Sequence, residues 1–572
     1  MSPATAPPAR RGTRLMDRLA AWTSARGRRD AAFRAPPEPR LLGDPARGRA
    51  LLAGELRRPG VPVQAVPGGA LWDITAPPPP LLAELHGFGW LDDLAALGDR
   101  DARHAAQALT AAWIARHGGG GGPGWTAQLA GRRLMRFICH GLILTAGQAP
   151  DKTTALMRSL VHHANFVARR WQSAPPGLPR IEALTALLLA AVELDGLERF
   201  EEPARDGLRR ACRAQIDETG ATPSRNPETL QAMLRLLALA SDALADADRR
   251  PEPALDQAVA RGGACLRALR HADGALPRFH GAGVNPEPDA LVRLLARVPL
   301  EPPRPDARAM GYARLQRGRV SVIADAAPPP MGPGSERAHA STLAFELTSH
   351  RWPVVVCCGP GAGFGADWER ACRATAMQST LAVDALSSAR MAPARRGPPR
   401  LVDGPSSVGL EIERDPSFTA LLMSHDGYAA SHGLTHLRRL ELSRDGRALS
   451  GEDTLIALSD ADRRRCDAAL ARAGAGGIGH ALRFHLHPQV RAAVDTRTVA
   501  LRLPCGELWV FHHDGHARLT LEPSVYLCPD APRPLAAQQI VLSATAAGYS
   551  SQMAWTLTKS DDSPIAPRAD TR

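Results

Sequence analysis

The sequence predicts an α+β multidomain protein in which a helical region precedes an all-β region. Its length of 572 residues suggests two or three domains, and the 44% hydrophobic fraction is sufficient for their cores. Apolar residues recur at helical spacing over residues 81–298. Short strand-like runs separated by turn residues follow the Pro-rich connector at 299–305. We therefore expect four segments: a basic Pro/Gly-rich arm (1–80), a helical domain (81–300), a β domain (301–558) and a polar tail (559–572).

The positive charge is concentrated in the predicted arm. The formal net charge is +12, and residues 1–60 hold 13 arginines against 5 acidic residues. A solvated basic arm explains this balance better than a nucleic-acid site, so we expect no nucleic-acid partner. The arm contains the pair Arg10-Arg11 but lacks the apolar segment of an export signal. The sequence also lacks an apolar run long enough for a transmembrane helix.

The helical domain is predicted from apolar stripes that Gly/Pro-rich breaks separate. These breaks lie at 118–124, 173–179, 220–227 and 273–277. Seven or more helices in series are expected. After residue 305, apolar runs of strand length alternate with Asp-Gly turns at 426–427, 445–446 and 514–515. About a dozen strands are expected, most simply as a large sandwich.

Recognisable cofactor motifs are missing from the sequence. The Gly-rich segment 359–365 has no phosphate-loop lysine, and the nine cysteines lack zinc-site spacing. His485 and His487 alternate along a predicted strand and share one face, but a third metal ligand is not evident.

Several polar residues stand where a site could form, and each also has a structural explanation. His339 precedes a predicted strand and could be a base, a metal ligand or a buried structural histidine. Arg373 adjoins a polar turn, where it could bind a carboxylate or belong to a surface cluster. Arg225 and Asn226 lie on an interhelical loop suited to anion binding or helix capping. His280 lies on a second polar loop, of the kind that lines a cleft.

The combination of these segments resembles the heparinase II/III family of polysaccharide lyases. The resemblance covers roughly residues 40–550 and implies an incomplete (α/α) toroid followed by an antiparallel β-sandwich. Upstream, segments 85–94 and 224–227 look like the helical half of bacterial relatives. In the β region, the matching segments are 310–315, 338–347, 354–359, 373–381, 425–428, 436–439 and 484–488.

The resemblance implies β-elimination on an acidic, uronic-acid-containing polysaccharide or oligosaccharide. That reaction needs a group that neutralises the uronate carboxylate, a base that removes the C5 proton and an acid that protonates the leaving oxygen. His339 and Tyr312 are the candidates for proton transfer. The candidates for substrate binding are Arg225, Asn226, His280, Arg337, Arg373 and Gln378.

The sequence departs from the family pattern at reactive positions. Arg337 replaces a histidine that is usually catalytic, and Ser341 replaces an acidic residue. Gln378 replaces a further histidine, and Cys357 or Cys358 stands where an Asp is usual. We therefore expect neither a family-type zinc site nor another cofactor.

Three functions follow from this pattern. The first is an atypical lyase, and the second is a non-catalytic glycan-binding or assembly protein on the same fold. The third is a glycoside hydrolase, which needs paired carboxylates such as Glu182 and Asp273. The resemblance favours the periplasm or cell envelope, whereas the missing signal peptide and the nine cysteines favour the cytoplasm.

Overall fold

The computed structural model describes residues 11–26, 31–58, 61–66, 71–74, 77–283, 288–299, 308–392 and 399–560. The chain divides into two compact units. The helical unit comprises Met1–Ala221, Thr229–Ala264 and Asp289–Pro299. The β unit comprises Thr222–Glu228, Cys265–Pro288 and Leu300–Arg572. Two loop-bearing segments within the mainly helical part of the sequence therefore belong to the β unit.

As far as residue 296, the described elements are helices and one antiparallel pair of strands. Helices α1 and α2 fall within the segment predicted as an arm. None of the described helices is long and apolar enough to cross a membrane. The elements are α1 (Arg11–Ser24), α2 (Pro45–Leu52), β1 (Glu55–Arg58), β2 (Val61–Ala65), α3 (Pro79–Gly87), α4 (Gly89–Ala95), α5 (Arg100–His117), α6 (Ala127–Cys139), α7 (Gly141–Thr145), α8 (Pro150–Arg170), α9 (Leu178–Glu193), α10 (Glu201–Gln215), α11 (Pro227–Asp246), α12 (Pro253–Ala268) and α13 (Pro288–Ala296).

Helix α6 lies at the centre of the helical unit, where it packs against α8 and α9. Its residues are all buried, as expected for a helix surrounded by others. Burial of its arginines is tolerated because they have partners: Arg132 pairs with Glu182 at 2.8 Å, and Arg136 pairs with Asp92 at 2.8 Å. Glu182, considered above for a hydrolase, also accepts a hydrogen bond from Gln128. It is therefore fully engaged inside the helical unit.

The β unit contains two large sheets, in which every described pairing is antiparallel. Its elements are β3 (Arg308–Ala309), β4 (Tyr312–Arg317), β5 (Val320–Asp325), β6 (Phe345–Ser349), β7 (Trp352–Val356), α14 (Ala366–Ala371), β8 (Leu381–Val383), β9 (Arg390–Met391), β10 (Leu401–Asp403), β11 (Val408–Arg414), β12 (Phe418–Tyr428), α15 (Ala429–His432), β13 (Leu434–Ser443), β14 (Ala448–Ile456), α16 (Asp460–Ala473), β15 (Ile478–Leu486), β16 (Arg491–Asp495), β17 (Thr498–Arg502), β18 (Leu508–His513), β19 (Arg518–Tyr526), β20 (Leu535–Ala546) and β21 (Ser550–Lys559).

The core of the β unit lies between these two sheets. One sheet has the order β11-β12-β13-β14-β21-β18-β17-β16. The other has the order β19-β20-β15-β7-β6-β5-β4-β3, with β8 also paired to β15. Trp555 of the first sheet stacks on Phe345 of the second at 5.6 Å and meets Phe484 edge-on at 4.8 Å. The aromatic contacts and a shared apolar cluster confirm the predicted β-sandwich.

Candidate functional site

Arg225 is the centre of a buried polar cluster in the β unit. It lies on the loop before α11, and its backbone has a φ of +50°. All five of its side-chain N–H groups donate to acceptors within the protein. They bind the carbonyls of Met310 (2.9 Å), Gly311 (3.0 Å), Ala327 (3.2 Å) and Pro328 (2.8 Å), and the carboxylate of Asp325 (2.5 Å). The guanidinium has no N–H group left for a substrate carboxylate.

Tyr312 begins β4 and lies beneath this guanidinium. Its hydroxyl donates to the backbone carbonyl of Arg225 at 2.5 Å, and the Arg225 guanidinium lies 4.7 Å from the ring centroid. Burial raises the pKa of Tyr312 well above its usual value, despite the opposing effect of Arg225. The phenol therefore keeps its proton, and that proton is committed to the backbone.

Asp325 ends β5 and supplies the negative charge of the cluster. Its second carboxylate oxygen accepts a hydrogen bond from Ser341 at 2.7 Å and lies 3.4 Å from His280 Nε2. Burial alone would raise the pKa of Asp325, but Arg225, His280 and Ser341 outweigh burial and hold it well below its usual value. An acidic residue in place of Ser341 would be repelled by the Asp325 carboxylate.

His280 and His339 are linked through backbone amides. The His339 N–H donates to His280 Nδ1 at 3.1 Å, and the Gly281 N–H donates to His339 Nε2 at 3.1 Å. Burial lowers the pKa of both imidazoles, so both are neutral near neutral pH. The ring nitrogen that would serve each as a base already accepts a backbone hydrogen bond.

The remaining predicted residues surround this cluster. Arg373 donates to the carbonyls of Ala338 (2.8 Å), Pro399 (2.7 Å) and Ser335 (2.8 Å). It therefore ties the residues before His339 to neighbouring loops.

Asn226, Gln378 and Arg337 complete the set of predicted residues. Asn226 donates to the His280 carbonyl at 2.9 Å, and Gln378 donates to the Cys372 carbonyl at 2.7 Å. Arg337 is half-buried and lies against Gly281. The structure thus brings the predicted residues into one region of the β unit, and those with a described hydrogen bond use it to hold the protein together.

A second buried carboxylate cluster was not singled out from the sequence. Asp453 of β14 accepts hydrogen bonds from His436 (2.7 Å), Arg438 (2.7 Å) and Trp555 (3.0 Å). Burial would raise the pKa of Asp453, but Arg438 and His436 lower it to about 2. An alternating His-x-Arg pattern on β13, opposite an aspartate on β14, is the sequence signal that could have identified it.

The described residues contain no group of three or more His, Cys, Asp or Glu side chains arranged to hold a metal ion. β15 ends at Leu486, so His487 lies just beyond the strand. His485 is hydrogen-bonded to Ser524 at 2.7 Å and to the Ala376 carbonyl at 2.9 Å.

Cys358 is a protonated thiol in this surrounding. Burial raises its pKa to about 12, whereas a metal ligand or nucleophile must be a thiolate.

Comparison with known proteins identifies the family. The profile described as heparinase II/III-like, C-terminal, matches residues 299–556. FtsZ-localized protein C of Caulobacter vibrioides (strain NA1000 / CB15N) is 30% identical over 538 residues, covering 92% of this chain and 90% of that protein. The chain belongs to the heparinase II/III-like family.

Solved structures of heparinases share the fold of this family member. A structure of heparinase III has a TM-score of 0.68 at 12% identity, covering 97% of this chain and 90% of the other. A mutant of the heparan sulfate lyase HepC from Pedobacter heparinus has a TM-score of 0.59 at 14% identity, covering 97% and 89%. The predicted α+β multidomain architecture of a polysaccharide lyase-like protein is thereby confirmed.

Proposed function

We propose that this heparinase II/III-like chain is a non-catalytic assembly protein whose partner is FtsZ. The observation that carries the non-catalytic part is the hydrogen bonding around Arg225. Arg225, His280, His339 and Tyr312, the predicted residues at the centre of the cluster, are already hydrogen-bonded inside the β unit.

The three chemical requirements can be taken in turn. Neutralising a uronate requires guanidinium N–H groups, and those of Arg225 all have acceptors. Removing the C5 proton requires a free ring nitrogen, and those of His280 and His339 accept backbone N–H groups. Protonating the leaving oxygen requires the Tyr312 hydroxyl, which is hydrogen-bonded to a backbone carbonyl. Leaving any one of these buried groups unpaired costs about 1–3 kcal/mol.

Similarity to FtsZ-localized protein C supports the choice of partner. The matched region covers 92% of this chain, so it extends through both the helical and the β units. This coverage supports FtsZ as the partner, because the region shared with the relative is not confined to one of the two units.

β-Elimination on an acidic, uronate-containing polysaccharide is the second candidate function. The observation in its favour is that burial lowers the pKa of His280 and His339, because a general base must be neutral before it accepts a proton. On this alternative, substrate binding would have to free at least one of the two imidazoles from its backbone donor.

Two measurements on the full chain test these candidates. In the first, the chain is sedimented with and without filaments of Caulobacter vibrioides FtsZ, and we expect saturable pelleting only with filaments. In the second, the ultraviolet absorbance of unsaturated uronate is followed with heparin, chondroitin sulfate and alginate, and we expect no increase. Failure to pellet with FtsZ would overturn the assignment of the partner.

An increase in absorbance would overturn the non-catalytic assignment. To show that this activity arises from the Arg225 cluster, His339→Ala should abolish the increase in absorbance. The exposed control His512→Gln should retain it. If the chain binds a polysaccharide in a salt-resistant manner and releases no unsaturated uronate, the partner is a glycan and not FtsZ.

A further inference from the structure

Helix α1 has its apolar residues on the outside. Among residues 14–24 of this helix, for which side-chain exposure is described, Asp17, Ala21 and Ser24 are buried. Its large apolar side chains are instead exposed: Leu15 (68%), Met16 (51%), Leu19 (52%) and Trp22 (55%). A surface helix normally buries such residues, so the polarity of α1 is inverted.

Polar contacts within the helical unit hold α1 against α8 in this orientation. Arg170 donates to the Asp17 carboxylate at 2.7 Å, and Arg169 donates to the hydroxyls of Thr23 and Ser24 at 3.0 Å each. His162 Nε2 lies 2.6 Å from the Ala21 carbonyl. The outward direction of the apolar residues is therefore fixed by the fold before any partner arrives.

The exposed apolar residues form one continuous stripe. Leu15, Leu19 and Trp22 follow one another at spacings of four and three residues, and Met16 widens the stripe. Contiguous exposed apolar surface of this kind marks an interaction site, whereas single exposed apolar residues are ordinary.

The charges beside the stripe have one sign. Arg14, Arg18 and Arg26 are exposed, and the Arg26 guanidinium lies 3.2 Å from the Trp22 ring centroid. Asp17 is the acidic residue of this helix, and it is buried and paired with Arg170. The exposed face from Arg14 to Arg26 therefore combines aliphatic and indole groups with positive charge alone.

We infer that α1 docks on an anionic lipid surface. Leu15, Leu19 and Trp22 enter the boundary between headgroups and acyl chains, and Arg14 and Arg18 pair with lipid phosphates. Long arginine side chains can reach the headgroups while their aliphatic stems follow the apolar layer. A protein groove would also cover the stripe, but an anionic bilayer matches both its apolar character and its uniform charge.

Flotation of the full chain with vesicles tests this inference. We expect it to float with vesicles of phosphatidylglycerol and phosphatidylcholine, and much less with phosphatidylcholine alone. Leu19→Glu combined with Trp22→Glu should lower the bound fraction about tenfold or more, since it replaces the apolar contacts by negative charge. Leu142→Glu is the matched control, because Leu142 is a 53% exposed leucine on α7, and it should float like the wild type.

Three measurements on the wild type and the variants can overturn lipid docking by α1: circular dichroism, flotation and FtsZ pelleting. Circular dichroism melts of both variants establish that they are folded. Absent flotation of the wild type, or equal flotation of the double variant, would overturn lipid docking. FtsZ pelleting without lipid is the independent readout: we expect the double variant to retain it. Loss of pelleting with unchanged flotation would instead make α1 a protein-docking helix.

Discussion

Asp325 and Asp453 have similar partners but reach them by different routes. Each is a buried carboxylate of the β unit, with an arginine and a histidine against it. Arg438 stands directly opposite Asp453 in the β13–β14 register, so strand pairing alone brings the two together. Arg225 lies 100 residues before Asp325 and reaches it from a loop. Sheet register therefore builds one cluster, and long-range loop placement builds the other.

The largest expected effect comes from removing either carboxylate. Asp325→Ala and Asp453→Ala should each lower the free energy of unfolding by about 3–5 kcal/mol, because each leaves a buried arginine without its counter-charge. Urea denaturation followed by tryptophan fluorescence measures the loss. The control is Asp403→Ala, whose carboxylate forms an exposed pair with Arg390 and should cost no more than about 1 kcal/mol. If only one of the two cluster variants loses less than about 1 kcal/mol of unfolding free energy, the two clusters do not contribute equally to stability.

Acid should weaken both clusters through their histidines. His280 and His339 belong to the Asp325 cluster; His436 belongs to the Asp453 cluster, where its Nδ1 lies 3.3 Å from His425 Nε2. Burial lowers the pKa of all four histidines, so the folded chain holds them neutral. Below the unfolded pKa of about 6.5, the unfolded state binds more protons, and stability falls as pH falls. A histidine that stays neutral in the folded chain down to about pH 5 contributes at most about 2 kcal/mol of loss between about pH 7 and 5, a limit that applies to His339 and His425, whose pKa values lie well below the usual value.

Urea denaturation across this pH range measures the slope. His425→Gln should reduce the slope by one histidine's share, whereas the exposed control His512→Gln should leave it unchanged. The pKa values of Asp325 and Asp453 are lowered in the folded chain, so these carboxyls also make stability depend on pH. Their contribution to the free energy of unfolding is lost only below about pH 4, where the carboxyls of the unfolded chain become protonated. Stability that is constant from pH 7 to pH 5 would contradict neutral burial of these histidines.

The smallest expected effect concerns Tyr312 in the loop-built cluster. Tyr312→Phe should cost about 1–2 kcal/mol, because the buried Arg225 carbonyl loses its hydroxyl donor. Thermal unfolding is the measurement. Tyr549→Phe is the control, because its exposed hydroxyl pairs with Asp467 and its loss should change stability by about 0.5 kcal/mol or less. If the two substitutions have equal effects, the Tyr312 hydroxyl is not a structural anchor.

Much of the fold could be predicted because its signals are local. Helical and strand periodicities identified the two regions, and the family motifs identified the sandwich. Within the matching segment 338–347, residues 342 and 343 form a turn, and β6 begins only at Phe345. The loops that carry Arg225 and His280 belong to the β unit, which periodicity of the surrounding helices does not indicate.

The sequence by itself determined the fold class and the family. Only the tertiary structure decided that Arg225 and Arg373 donate to backbone carbonyls and that α1 faces its apolar side outward. The physical reason is that periodicity is a property of neighbouring residues. Backbone carbonyls exist at every position and carry no sequence signal, so which of them meets a distant guanidinium depends on the folded chain.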